Sequence, residues 1–166
     1  MATATAVSVD EYLATAYRPE CDYVEGEVRE RNMGEHEQSR LQMMLAGYLW
    51  TREKAWNIHV VPEQRVQVRP NRFRVPDICV TRKPRPEERI FTTPPLLCIE
   101  ILSPEDTVYR MQERIDDYLA FGVPYVWVLN PSTRRGWIHT AAGVEEASDG
   151  MLRADTIEVP IQALFD

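Results

Sequence analysis

The chain has 166 residues, 44% of them hydrophobic and 27% charged, the make-up of one globular domain over 1–166 that can build a core without metal or disulfide staples. A formal charge of −7 excludes nucleic-acid binding through net charge alone. No apolar run approaches the roughly 20 residues that span a bilayer, so no membrane association is expected.

The 3 cysteines, Cys21, Cys79 and Cys98, are widely spaced and give no metal-ligand pattern. The opening MATATAVSVDEYL has neither a basic region nor an apolar one. A reducing cytoplasm is the expected setting.

In chain order, Ser8 and Glu11 form a capping box, in which the serine oxygen accepts an orphan backbone N–H, and open a short helix to about residue 16. Residues 23–28 read as a tight hairpin around Glu25-Gly26. Residues 35–54 form a helix with Leu41, Met44, Leu45, Tyr48 and Leu49 in one stripe. Strands follow at 60–68, 73–81 and 96–102, the last apolar at all but one position, as a central strand covered on both faces would be. A second helix spans 105–121 with Val108, Met111, Ile115, Tyr118 and Leu119 along one side, and Gly122 stops it. Residues 125–129 form a buried strand, and 136–140 return antiparallel to it. Strand, helix and strand over 96–129 make a crossover, so those two strands are expected to be parallel. The class is α/β or α+β, a mixed sheet with helices on its faces.

Glu100 is the anomaly. A carboxylate inside LLCIEIL is costly to bury unless its charge is compensated. Asp77 interrupts RVPDICV in the same way. On neighbouring strands, two such acids can converge, and with a backbone carbonyl they suit a hard divalent ion that keeps water and takes phosphate oxygens as its other ligands. Such an ion can orient a water and neutralise charge on a phosphodiester.

Pro76-Asp77 followed by Glu100-Ile101-Leu102-Ser103-Pro104 resembles the PD-(D/E)XK nuclease superfamily, and more narrowly its Uma-type restriction-endonuclease-like family. The resemblance runs from VDEYL (9–13) through DYVEGE (22–27), Glu35-His36, VPD (75–77), PLLCIEILSP (95–104) and GVPYVWVLNP (122–131) to VPIQALF (159–165). It implies a restriction-endonuclease-like mixed sheet flanked by helices, with hydrolysis of DNA phosphodiesters dependent on Mg²⁺ or Mn²⁺. It makes Asp77 and Glu100 the metal-binding acids, gives the inner shell the carbonyl of Ile101, and implies a homodimer. The superfamily's lysine would fall at Leu102. In the narrower family it moves to a Glu-Lys pair on the next helix, which here reads Glu113-Arg114. Arg114 is then a catalytic candidate that stabilises charge and, with its high pKa, does not act as a base.

Glu25 is either a third acid or a plain turn residue. His36 either meets metal or phosphate at a helix N-terminus or faces solvent. Residues 65–89 hold eight basic side chains against three acidic ones, hence +5 with −12 elsewhere. From these, Arg72, Arg74, Arg82, Lys83 and Arg85 are the expected nucleic-acid contacts, and a soluble strand edge is the plainer alternative. Ser103 has neither a Gly-x-Ser-x-Gly setting nor a nearby histidine, so serine hydrolysis is unsupported. Two rivals to the nuclease stand: a non-catalytic module that binds nucleic acid or protein, and a structural dimer whose buried acids pair with Arg74 or Arg114.

Overall fold

The computed structural model describes residues 5–31 and 34–165. The expected domain limits at 1 and 166 therefore lie outside the described residues. Helix α1 (Val9–Ala14) begins at Ser8, whose side chain accepts from the Glu11 N–H at 3.1 Å. Strands β1 (Cys21–Val24) and β2 (Glu27–Glu30) form the expected hairpin. Its turn holds Glu25 at φ 51° and Gly26 at φ 94°, the left-handed pair that a two-residue hairpin turn requires. Helix α2 (His36–Trp50) buries Leu41, Leu45 and Leu49, and a short α3 (Glu53–Trp56) follows it.

The two strands expected at 60–68 and 73–81 are each divided between two sheets. The first becomes β3 (Ile58–Pro62) and β4 (Val66–Arg69), the second β5 (Arg72–Arg74) and β6 (Ile78–Arg82). Glu63, at φ 50°, turns the chain between β3 and β4, and Pro76 lies in the break between β5 and β6. A four-stranded antiparallel sheet runs β2-β1-β5-β4. The larger sheet adds β7 (Leu97–Ile101), β8 (Tyr125–Asn130), β9 (Arg135–Thr140) and β10 (Gly143–Glu146) in the order β10-β9-β8-β7-β6-β3. Within it β7 and β8 are parallel, as the crossover requires, and β9 is antiparallel to β8.

Helix α4 (Val108–Phe121) makes that crossover. Thr107 caps its start and Gly122, at φ 107°, ends it. Met111, Ile115 and Tyr118 are buried, but Val108 is 88% exposed and stands outside the expected stripe. Past residue 140, where the sequence pattern predicts no element, the chain forms β10, the hairpin β11 (Met151–Ala154) and β12 (Ile157–Pro160), and a 3₁₀ turn at Ile161–Leu164.

Side-chain alternation on β7 decides where the chemistry sits. Leu97, Ile99 and Ile101 enter the core shared with α2 and the β11–β12 hairpin, while Cys98 enters the core under α4. Glu100 has the parity of Cys98 and so faces α4. A third cluster of Tyr12, Tyr23 and Phe73 packs α1 on the small sheet.

Candidate active site

Ile78 of β6 lies opposite Ile99 of β7, so the next step of the antiparallel register sets Asp77 across from Glu100. Both acids are buried, at 3% and 1% exposure. Asp77 Oδ2 accepts from the Ile101 N–H at 2.7 Å, and its Oδ1 is held by the guanidinium of Arg31. Glu100 Oε1 accepts from the Tyr118 hydroxyl at 2.7 Å, and its Oε2 lies 3.7 Å from Arg114 Nη1. Each acid thus gives one oxygen to a fixed neutral donor and turns the other toward an arginine.

Burial raises the Glu100 carboxyl from 4.5 to about 8; Arg114 opposes the shift and the charge of Asp77 adds to it. Burial also pushes Asp77 up, against the pull of Arg31 and the Ile101 N–H. Burial disfavours the charge on Arg114, but Glu100 and Asp22 outweigh it and hold the guanidinium more firmly protonated than a free arginine. Arg31 is held the same way, with Asp77 and Glu100 outweighing its burial.

A third acid does reach this network, and it is Asp22 rather than Glu25. Asp22 Oδ1 accepts from the Val75 N–H at 3.0 Å, while Oδ2 accepts from Arg74 Nη1 at 3.0 Å and lies 3.3 Å from Arg114 Nε. Arg114 therefore bridges Asp22 on the small sheet and Glu100 on the large one. Glu25 stays in the hairpin turn, half exposed, 3.4 Å from Arg72 Nη2. Asp22 carries the same signal as Asp77, a charge between apolar strand residues.

Two glutamines one turn apart on α2 hold the acid-bearing strands by their backbones. Gln38 Nε2 donates to the Ile101 carbonyl and Gln42 Nε2 to the Asp77 carbonyl, each at 3.1 Å. Nothing in the sequence marks Arg31, Gln38 or Gln42, since polar residues at a strand end or on a helix flank are ordinary. Tyr118 reads as core and is core, with a hydroxyl that also serves the site. Leu102 packs into the core under α4. His36 is exposed in the first turn of α2.

The basic segment does not form one face. Arg74, expected to contact nucleic acid, is 2% exposed and clamped between Asp22 and Asp117, the latter at 2.7 Å. Arg72 turns to the same Asp117 at 2.9 Å. A guanidinium so buried and paired offers nothing to a phosphate. Arg82 is exposed and lies 2.8 Å from Asp155, and Lys83 and Arg85 are also exposed.

Among the described residues no three or more His, Cys, Asp or Glu side chains gather as a metal cluster. The donors available are two carboxylates and the Ile101 carbonyl, which also accepts from Gln38. All are hard oxygens, few enough for an ion that retains water. The arginine facing the outer oxygen of each acid marks where a cation is favoured.

The family model for Uma2, described as a putative restriction endonuclease, matches residues 9–159. The chain belongs to the Uma2 family. A crystal structure of a putative nuclease belonging to DUF820 from Anabaena variabilis ATCC 29413 superposes with a TM-score of 0.81. The two sequences are 23% identical, and the match covers 96% of this chain and 97% of that one. This likeness is one of fold, and it agrees with the restriction-endonuclease-like architecture expected from the sequence. No curated protein matched the chain. Among the described residues, no helix of this Uma2-family chain is long and apolar enough to cross a membrane.

Proposed function

We propose that this chain is an endonuclease of the PD-(D/E)XK type that hydrolyses DNA phosphodiesters with Mg²⁺ or Mn²⁺. The observation that carries this reading is the apposition of Asp77 and Glu100, each with one oxygen fixed and the other turned toward a cation. The family's description as restriction endonuclease supports it.

Asp77, Glu100 and the Ile101 carbonyl would hold the ion, which when bound polarises a phosphoryl oxygen and favours deprotonation of water. Tyr118 and the Ile101 N–H fix one oxygen of each carboxylate, which sets the direction of the other, arginine-facing oxygen. In hydrolysis the water oxygen bonds to phosphorus, one ester oxygen leaves, the water gives a proton to solvent and the leaving oxygen takes one from solvent. Arg114, permanently charged and half anchored on Asp22, stabilises the growing negative charge on the phosphoryl group. Arg31, which faces the outer oxygen of Asp77, would do the same with an ion held by that carboxylate. Lys83 and Arg85 lie on the surface and supply counterion-releasing contacts to the backbone.

A second reading, a binding module without catalysis, is favoured by one observation: the lysine of the family's displaced pair is Arg114 here, and its guanidinium is already paired with Asp22 and Glu100. Nicking of supercoiled plasmid DNA with Mn²⁺ separates the two. Wild type is expected to nick, Glu100→Gln to be inactive, and Arg114→Lys to match or exceed wild type. Arg114→Ala is expected to lose roughly 10²–10³-fold in turnover, as for removal of one preorganised donor. If wild type and Arg114→Lys both fail to nick, the binding module stands.

A further inference from the structure

Gln38 carries a feature that its grip on the backbone does not explain. Its Nε2 is satisfied by the Ile101 carbonyl, yet its Oε1 is buried with no hydrogen-bond partner among the described residues. Buried acceptors without a donor are rare in folded proteins and call for a reason. A flipped amide does not supply one, because it would set Oε1 against the Ile101 oxygen, two acceptors face to face. The orphan oxygen therefore sits within the width of one amide group of the Ile101 carbonyl. Ile101 is the residue that follows Glu100 and whose N–H holds Asp77.

A water that attacks phosphorus has to be aimed, and aiming it by one of its hydrogens takes an acceptor. Arg31 and Arg114 have donors only. Tyr118 is committed to Glu100, and the carboxylates are the proposed ion's ligands. Leu102 leaves β7 with no polar side chain at the position where the superfamily has its lysine.

We infer that Gln38 is the water-orienting residue of this site: Oε1 accepts a hydrogen bond from the hydrolytic water while Nε2 anchors the amide to β7. It does not take the proton, which passes to solvent. This rests on the hydrolytic reading above and adds the group that orients the nucleophile.

Two variants and one crystal test it. Gln38→Met keeps length and helix propensity but has no donor and only a weak thioether acceptor, whereas Gln38→Glu, protonated on the oxygen that faces the Ile101 carbonyl, keeps an acceptor and an O–H donor. With Mn²⁺, Gln38→Met is expected to lower kcat roughly 10²-fold, the effect of a misplaced reactant, with KM for DNA and the Mn²⁺-induced rise in Tm unchanged. Gln38→Glu is expected to recover part of that loss. Crystals soaked in Mn²⁺ should show an ordered water within hydrogen-bond reach of Oε1 and beside the ion. The inference is overturned if kcat is unaffected, if both variants lose activity alike, if Gln38→Met abolishes the Mn²⁺-induced Tm rise, or if Oε1 meets the ion directly. Wild type that neither binds Mn²⁺ nor nicks DNA removes the hydrolytic reading itself, and is recognised without either variant.

Discussion

Tyr118 and Glu100 meet in the interior through one hydrogen bond, the phenol donating to Oε1 at 2.7 Å. The contact joins α4 to the central strand β7 and fixes the orientation of a proposed metal ligand, a role usual for the groups that surround metal-binding side chains. Tyr118→Phe leaves a buried carboxylate oxygen without its donor. The expected cost is about 1–3 kcal/mol in urea unfolding, with a smaller Mn²⁺-induced rise in Tm than wild type shows. A variant with wild-type stability and a wild-type Mn²⁺ response would remove this role.

Stability without metal should fall as pH rises. The Glu100 carboxyl is raised by burial from 4.5 to about 8, so between those values the folded protein holds a proton that the unfolded chain has released. The stabilisation that protonation gives is complete below about 4.5 and disappears toward 8. Burial shifts Asp77 in the same direction. Glu100→Gln has no charge to bury, so its stability relative to wild type should increase from about pH 5 to about pH 8. Urea titrations of both proteins in chelator would show it, and a constant difference would contradict it.

Arg74 should be a stability residue rather than a DNA contact. Its guanidinium lies between Asp22 and Asp117, and all three groups are buried. Arg74→Met removes a cation from two desolvated carboxylates, a change that costs about 3–5 kcal/mol. The lower end is expected, because Arg114 and Arg72 still face those acids. Arg82→Ala, whose partner Asp155 is solvated, should leave unfolding unchanged. Equal stability of the two variants would refute the assignment.

Millimolar Mg²⁺ or Mn²⁺ should raise Tm by binding the folded state. Asp77→Asn should abolish the rise. Arg31→Ala should lower the metal concentration at half-effect, because the guanidinium on Asp77 competes with the ion for Oδ1. Thermal melts across a Mn²⁺ titration check all three proteins together. An Arg31→Ala midpoint at or above wild type would mean that the arginine helps to hold the ion rather than competing with it.

Several features were legible in the sequence because they are local. The Ser8 cap, the Glu25-Gly26 turn, the stripe Met111–Ile115–Tyr118, the Gly122 stop and the parallel crossover all follow from short-range periodicity, steric rules and handedness. Asp77 and Glu100 stood out because a charge within an apolar run must be compensated. What the sequence left open is non-local. The apolar residues at 60–68 and 73–81 report burial but not which sheet accepts each half, and that depends on the turn at Glu63 and on strand partners distant in the chain. Arg74 looked like its basic neighbours until β1 and α4 brought Asp22 and Asp117 to it. Gln38 became notable only when α2 packed over the end of β7 and buried one half of its amide. Composition and pattern determined the main helices, the first hairpin, the crossover and the two acids. The tertiary structure decided which cations neutralise them, because pairing of buried charges is set by contacts between residues far apart in sequence.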